Sequence, residues 1–421
     1  MNIVEKILLK HSIEKKERIA PGDLVKTSVD KAILLDMAAL HGEFLRNPPK
    51  QLFNPDKVAI VFDHYVPSPN VDITTGTGKI RRLAEKWGVK EFYDYGRGGI
   101  SHALAGERGW ILPGRIIANT DSHTIASGAY NSIGRGLGTP ELMQVLCEGT
   151  TWFLVGETVK VEFSNKLKDG SEAKDVFLRL ANDVGEIPND NIEFTGLGIS
   201  SLSIDERAVI STMCAELGAE FAVFPYDSKL EGYLKGRAES EYSPVTSDKE
   251  AEYRDIYQFD LSDIRPMVAL PDSVSRNVKE ARDLENVVID QATIGSCANG
   301  RLSDLRIAAK ILKGKKIHSS VRLIVTPSTQ QIYLEAQKMG YISTIVEAGG
   351  IVTNSTCGSC FGGHMGVVGP SETVITSTTR NFKGRMGSRD AKIYLASSAT
   401  VASSAIAGKI TDPREFLEKA K

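Results

Sequence analysis

The sequence predicts an α/β protein whose domains are each built on a mostly parallel β-sheet with flanking helices. Three observations carry that expectation. VAIVF at 58–62 and RIIAN at 115–119 are short apolar runs that end in polar residues, as buried parallel strands do. From about residue 287 onward, strand-like and helix-like segments alternate, the pattern of βαβ units. At 421 residues the chain exceeds what one ordinary core fills, so several domains are expected, with boundaries at 156/157 and 258/259.

Composition bounds the function classes. Hydrophobic residues make up 41% and charged residues 25%, and the formal net charge is -2. That balance gives no electrostatic case for nucleic acid or an anionic membrane as partner. The N-terminal stretch is charged throughout and does not read as a secretory signal. Five cysteines without a framework spacing fit a reducing compartment, so a cytoplasmic protein is expected.

The elements follow in order. Residues 3–12 read as a short amphipathic helix, and 24–30 alternate like a strand. AILLDMAALHGEFL at 32–45 reads as a helix with Asp36 inside it. Asp63 and His64 lie just past the strand 58–62, where open α/β sheets bind their ligands. GTGK at 76–79 lacks the remainder of a phosphate loop and is discounted. The glycine-rich GRGGISHAL at 96–104 delivers His102. RIIAN runs into Asp121, Ser122 and His123, a second Asp–His unit at a strand end. A carboxylate that holds an imidazole fixes its tautomer and raises its basicity.

Pro140 and Glu141 mark a helix start, with Cys147 and its neighbours Val145 and Leu146 expected in the core. Arg135, between two glycines, reads as either an anion hook or a solvated residue. NIEFTG at 191–196 is a strand carrying Glu193. Residues 203–219 form a helix with a Ser203–Glu206 capping box and Cys214 in the core. Residues 303–314 read as a helix with Ser303 as its cap. His11 and His318 read as surface residues and His41 as helical surface or core.

The chemistry centres on Cys297, Cys357 and Cys360, in the loops TIGSCANGR and TNSTCGSCFGGH. Small neighbours let a thiolate reach an inorganic centre. Three cysteines do not complete a structural zinc site, although His364 offers a fourth donor. They suit a [4Fe–4S] cluster with one iron left open. A redox CxxC pair and inert thiols are the other readings.

FDH at 62–64, GGISH at 98–102, DSHT at 121–124, IGSCANGR at 294–301, CGSCFG at 357–362 and RNFKGR at 380–385 occur together and in this order. In that combination the chain resembles the large subunit of the aconitase and 3-isopropylmalate dehydratase superfamily over its whole length. The resemblance implies an aconitase-like three-domain arrangement around a [4Fe–4S] cluster held by Cys297, Cys357 and Cys360. It implies that Asp63 and His64 assist protonation of the leaving hydroxyl, and that His102, Asp121 and His123 belong to the substrate and water network. It further implies a carboxylate near the iron-bound water at Glu193, and substrate anchoring by Arg380 and Arg385 beside Ser122. The reaction class would be reversible dehydration of a hydroxy di- or tricarboxylic acid. The proton-abstracting serine and a further arginine of the superfamily lie in a fourth domain, so a separate small subunit is the expected partner.

Leu35, Ala103, Ile125, Arg135 and Thr379 depart from the superfamily pattern and leave the substrate open. 3-Isopropylmalate, homocitrate and citramalate or a methylated malate are the alternatives. An RNA-binding regulator in the cluster-free state is the reading from another class.

Overall fold

The computed structural model describes residues 1–40 and 42–417. His41 therefore lies outside the described residues. The chain forms two compact units. The first comprises Met1–Ser164 and Ile187–Phe259, and the second comprises Asn165–Glu186 and the chain from Asp260 onward. The segment expected as a middle domain is thus divided: its strands Thr158–Ser164 and Asn191–Thr195 lie in the first unit, and its helix Ala173–Asp183 lies in the second.

The first unit is organised by a five-stranded sheet. Its spatial order is Glu91–Tyr93, Val58–Val61, Lys31–Leu35, Ile116–Asn119 and Ile133–Gly136. Every pairing in it is parallel. The chain builds outward from Lys31–Leu35 in one direction, then returns and builds in the other. The strand order therefore reverses between Lys31–Leu35 and Ile116–Asn119, which opens a crevice at their carboxyl ends. The unit also holds a four-stranded sheet, ordered Phe221–Val223, Asn191–Thr195, Thr158–Ser164 and Asp255–Asp260.

The central strand corrects the reading of 32–45 as one helix. Lys31–Leu35 is buried at all five positions, and a short helix, Asp36–Ala39, follows it. A strand covered on both faces reads as a continuous apolar run, which periodicity cannot separate from a buried helix. Asp36 consequently stands at a strand end.

Further expectations are corrected locally. The helix Thr139–Glu148 buries Leu142, Val145 and Leu146, and this phase turns Cys147 outward to an exposed position. Arg135 is half-buried and already partnered, where the sequence left it as an anion hook or a solvated residue. Its Nε lies 3.1 Å from Glu220 Oε1, its Nη1 donates to the Trp152 carbonyl at 2.9 Å, and its guanidinium covers the Trp152 and Phe153 rings. His11 is not a free surface residue, since its Nε2 lies 2.8 Å from Asp30 Oδ2. The helix Leu302–Leu312 takes Arg301 as its N-cap, so Ser303 lies within its first turn instead of capping it.

The second unit holds a seven-stranded sheet in the order Val278–Glu280, Met267–Ala269, Lys392–Ala396, Thr373–Thr376, Gln291–Gly295, Arg322–Thr326 and Ile351–Val352. The last five are mutually parallel, and the Met267–Ala269 strand pairs antiparallel on both sides. The order reverses between Gln291–Gly295 and Thr373–Thr376. Ile294, Leu305, Val325, Ala399 and Val401 belong to the core between this sheet and its helices.

One tight contact in the first unit tests the packing. The 3-10 segment Ser122–Tyr130 lies against the strand Phe221–Val223, and the Gly128 carbonyl accepts from the Phe224 amide at 2.9 Å. A Cβ at Gly128 would stand 1.8 Å from the Ala222 carbonyl oxygen. Gly128→Ala is expected to destabilise the protein by about 3 kcal/mol, because backbone must move to admit the methyl group; thermal unfolding checks this, and an unchanged Tm contradicts the packing described.

Candidate active site

The carboxyl edge of the first unit's parallel sheet collects the ionisable groups. Asp36 follows Lys31–Leu35, Asp63 and His64 follow Val58–Val61, and Asp121 and His123 follow Ile116–Asn119. The helix Ser101–Glu107, reached after Glu91–Tyr93, carries His102. Asp36, Asp63, His64, His102 and His123 are all buried.

Asp121 is the hub. Its Oδ1 lies 3.2 Å from His102 Nε2 and 3.1 Å from His123 Nδ1, and its Oδ2 lies 3.7 Å from His64 Nε2. It also accepts the His123 amide at 2.7 Å, which ties the turn to the carboxylate that serves it. Asp63 joins two elements: Oδ1 meets His64 Nδ1 at 2.7 Å, and Oδ2 accepts the Ser101 amide at 2.9 Å, at the start of the helix that carries His102. Each imidazole is thus oriented by a carboxylate that is itself held.

The electrostatics follow from this packing. Burial opposes charging His64, but the carboxylates of Asp63, Asp36 and Asp121 outweigh it and raise its pKa from 6.5 to about 10. Burial likewise opposes ionisation of Asp121, yet its bonds to His102 and His123 and their positive charge hold it well below the usual carboxylate range. Asp36 is shifted upward, by burial first and by the neighbouring Asp63.

The structure revises the carboxylate assigned to this site. Glu193 is not brought to the Asp–His cluster. Its Oε2 accepts the Ile3 amide at 3.0 Å, its Oε1 accepts the Tyr253 hydroxyl at 2.8 Å, and both oxygens meet the Ser247 hydroxyl. The Ile3 bond anchors the start of the N-terminal helix Ile3–His11, and the others tie that point to Ser247 and Tyr253. The carboxylate that reaches the cluster is Glu216, whose Oε1 lies 2.9 Å from His123 Nε2. Glu216 sits in the 3-10 turn Cys214–Leu217, carried there by the helix Ile204–Met213 packed on Ser122–Tyr130. Ser122 is exposed at the start of that segment.

In the second unit, the same edge logic presents the cysteines. Cys297 follows Gln291–Gly295, and Cys357 and Cys360 follow Ile351–Val352. All three are buried, and none forms a disulfide. Gly295 has φ 134, and a Cβ there would stand 2.4 Å from the Thr326 carbonyl oxygen, so only glycine lets the chain turn into the Cys297 loop. Ser296 holds φ 99, a conformation a side chain rarely adopts and one that clusters at functional sites. Arg385 Nη2 lies 3.5 Å from Cys360 Sγ, and Thr379 Oγ1 lies 3.8 Å from it. Arg380 is half-buried directly after Thr379. Ser296 Oγ, Asn299 Oδ1 and Ser355 Oγ, within two residues of these cysteines in the chain, are buried with no hydrogen-bond partner among the described residues. Soft thiolates, a guanidinium beside one sulfur and hydroxyls with hydrogen-bonding capacity to spare form a donor set that fits an iron–sulfur cluster.

The profile of the aconitase family (aconitate hydratase) matches residues 6–408. The chain belongs to the aconitase family. It is a hydro-lyase of that family, and membership implies a [4Fe–4S] cluster. Among curated relatives it is 45% identical over 417 residues to the 3-isopropylmalate dehydratase large subunit of Mycolicibacterium smegmatis, covering 99% of this chain and 98% of that one. It is 40% identical over 422 residues to the protein of that name from Thermoanaerobacter sp. (strain X514), covering 99% of each. The crystal structure of Thermococcus kodakaraensis aconitase X in its holo-form aligns with a TM-score of 0.51, at 14% identity, over 87% of this chain and 89% of that chain. At that identity the likeness is one of fold. No described helix is long and apolar enough to cross a membrane.

Two outcomes follow from this geometry. His64 is expected to remain an imidazolium from neutral pH to about 10, read by NMR of its ring nitrogens, and Asp63→Asn is expected to lower its pKa. Because the folded value is raised, the stability His64 contributes is complete below 6.5 and lost as pH rises through about 10. Glu193→Gln is expected to cost about 2 kcal/mol of stability by weakening the anchor of the first helix; a denaturant titration showing no change would remove the anchoring role.

Proposed function

We propose that this chain is the cluster-bearing large subunit of a hydro-lyase that reversibly dehydrates a hydroxydicarboxylic acid, with 3-isopropylmalate and 2-isopropylmalate as the foremost pair. The observation that carries the reading is His64. It is a buried imidazolium braced by Asp63 through Nδ1, so its Nε2–H stands ready at the crevice where the strand order reverses. Such a group protonates, or hydrogen-bonds to, a hydroxide equivalent as it leaves. The near full-length likeness to proteins named 3-isopropylmalate dehydratase large subunit supports the choice of substrate.

Each residue then has a task. Asp63 accepts from Nδ1–H of His64 and so stabilises the imidazolium, which leaves the Nε2 proton as the one to give. Asp121 holds His102 and His123 in one orientation each, and Glu216 takes the second nitrogen of His123, so protons can pass along a line of alternating carboxylates and imidazoles. Arg380 and Arg385 offer rigid forks for substrate carboxylates, with Ser122 as a further hydrogen-bonding group. Cys297, Cys357 and Cys360 would hold the cluster, which when bound supplies a Lewis-acidic iron that no cysteine ligates. A base for the carbon-bound proton comes from a small subunit in this reading, through a serine alkoxide accompanied by a further arginine. "Large subunit" in the names of the relatives supports such a partner.

The test is anaerobic reconstitution with and without a small subunit of the 3-isopropylmalate dehydratase type, assayed on 3-isopropylmalate, homocitrate and citramalate. Turnover of 3-isopropylmalate by the pair, with near-zero activity of the large chain alone, is the expected result. Turnover by the chain alone would dispose of the two-subunit reading, and preference for another acid would replace the substrate. Glu216→Gln is expected to lower kcat about 100-fold in the pair. Cys297→Ser is expected to lose the cluster's visible absorption as well as activity. Full retention of the cluster by that variant would remove Cys297 from the ligand set.

A further inference from the structure

Asp36 is a fully buried carboxylate at the end of the central strand, and among the described residues the hydrogen-bond partners of its side chain lie in one neighbouring turn. Its Oδ1 accepts the amides of Asp63 at 3.3 Å and His64 at 3.1 Å, and its Oδ2 accepts the amide of Tyr65 at 2.8 Å. Its Oδ1 also lies 3.7 Å from His64 Nδ1. Three consecutive backbone donors therefore converge on one carboxylate.

The sheet explains why they need it. Lys31–Leu35 and Val58–Val61 pair in register up to Leu35 and Val61. The next amide, that of Phe62, donates to the Tyr93 carbonyl on the other side. Beyond it the ladder has ended, and the amides of Asp63, His64 and Tyr65 turn inward with no strand to receive them. A buried amide without an acceptor loses its hydrogen bond to water and gains none in return, so the fold must supply one. Asp36 replaces the missing ladder from the one strand end that adjoins this turn.

We propose that Asp36 is a positioning residue: by gathering these three amides it sets the direction in which Asp63 and His64 leave the strand, and so aims the imidazole into the crevice. This rests on the proposed role of His64 in dehydration. A carboxylate suits the task because both oxygens accept and neither donates. Asparagine keeps one acceptor and turns an NH2 toward the remaining amides, and alanine provides none.

The experiment compares Asp36→Asn, Asp36→Ala and Leu34→Ala in the reconstituted two-subunit enzyme. Leu34 is buried in the same strand, belongs to the apolar core and has no atom that accepts from an amide, so its variant reports on loss of packing without loss of an acceptor. All are assayed well below their Tm, and the amide proton shifts of Asp63, His64 and Tyr65 are followed by NMR. Asp36→Ala is expected to lower kcat about 100-fold with KM changed less than about threefold, as misplacement of a reacting group by an ångström does. Asp36→Asn should fall between it and wild type, and the three amide signals should move upfield in both. A wild-type kcat for Asp36→Asn, or a kcat loss equalled by Leu34→Ala, overturns the proposal. If wild type turns over no hydroxy acid, the function proposed above fails. The amide shifts then decide the role of Asp36, and unmoved signals overturn it.

Discussion

Parallel pairing of the central strand Lys31–Leu35 with neighbours on both sides is the constraint on which the first unit depends. Parallel strands all end on the same edge, so residues distant in sequence emerge together there. Reversal of strand order beside that strand leaves no crossover connection to fill the crevice. Asp36, Asp63, His64, Asp121 and His123 need no long loops to meet, because each lies within a few residues of a strand end. The second unit applies the same rule to sulfur: its reversal point lies beside Gln291–Gly295, and Cys297 follows it directly.

Burying this many ionisable groups is costly unless their charges compensate. Here the carboxylates of Asp36, Asp63, Asp121 and Glu216 face the imidazoles of His64, His102 and His123. The compensation is uneven, and that is chemically useful. His64, with three carboxylates around it, keeps its proton, while Asp121, placed among imidazoles, keeps its charge. A group that retains a proton next to one that does not is the arrangement acid–base chemistry requires. Around the cysteines the balance has the opposite sense, with the Arg385 guanidinium set against the Cys360 sulfur.

Much of the site was legible because its signals are local. Asp63–His64 and Asp121–His123 each follow an apolar run directly, and the three cysteines lie in small-residue loops after strands. Asp36 was hidden by its own strand, since AILL reads equally well as helix until its neighbours are known. Glu216 was hidden by distance: it meets His123 across 93 positions, at the foot of a helix that reads as core. Glu193 was singled out by the family resemblance alone; its carboxylate instead receives the Ile3 amide at the start of the N-terminal helix and the hydroxyls of Ser247 and Tyr253.

The sequence by itself determined the α/β class, the two Asp–His units, the cysteine set and the family, because these rest on residue order within short segments. Tertiary structure decided which carboxylate completes the histidine network, which one gathers the 63–65 turn and which arginine lies against a cysteine sulfur. Those choices depend on strand order and on how a helix packs across a sheet edge. Hydrophobic pattern constrains which face of an element is buried, and leaves open which distant polar side chain arrives at the same point.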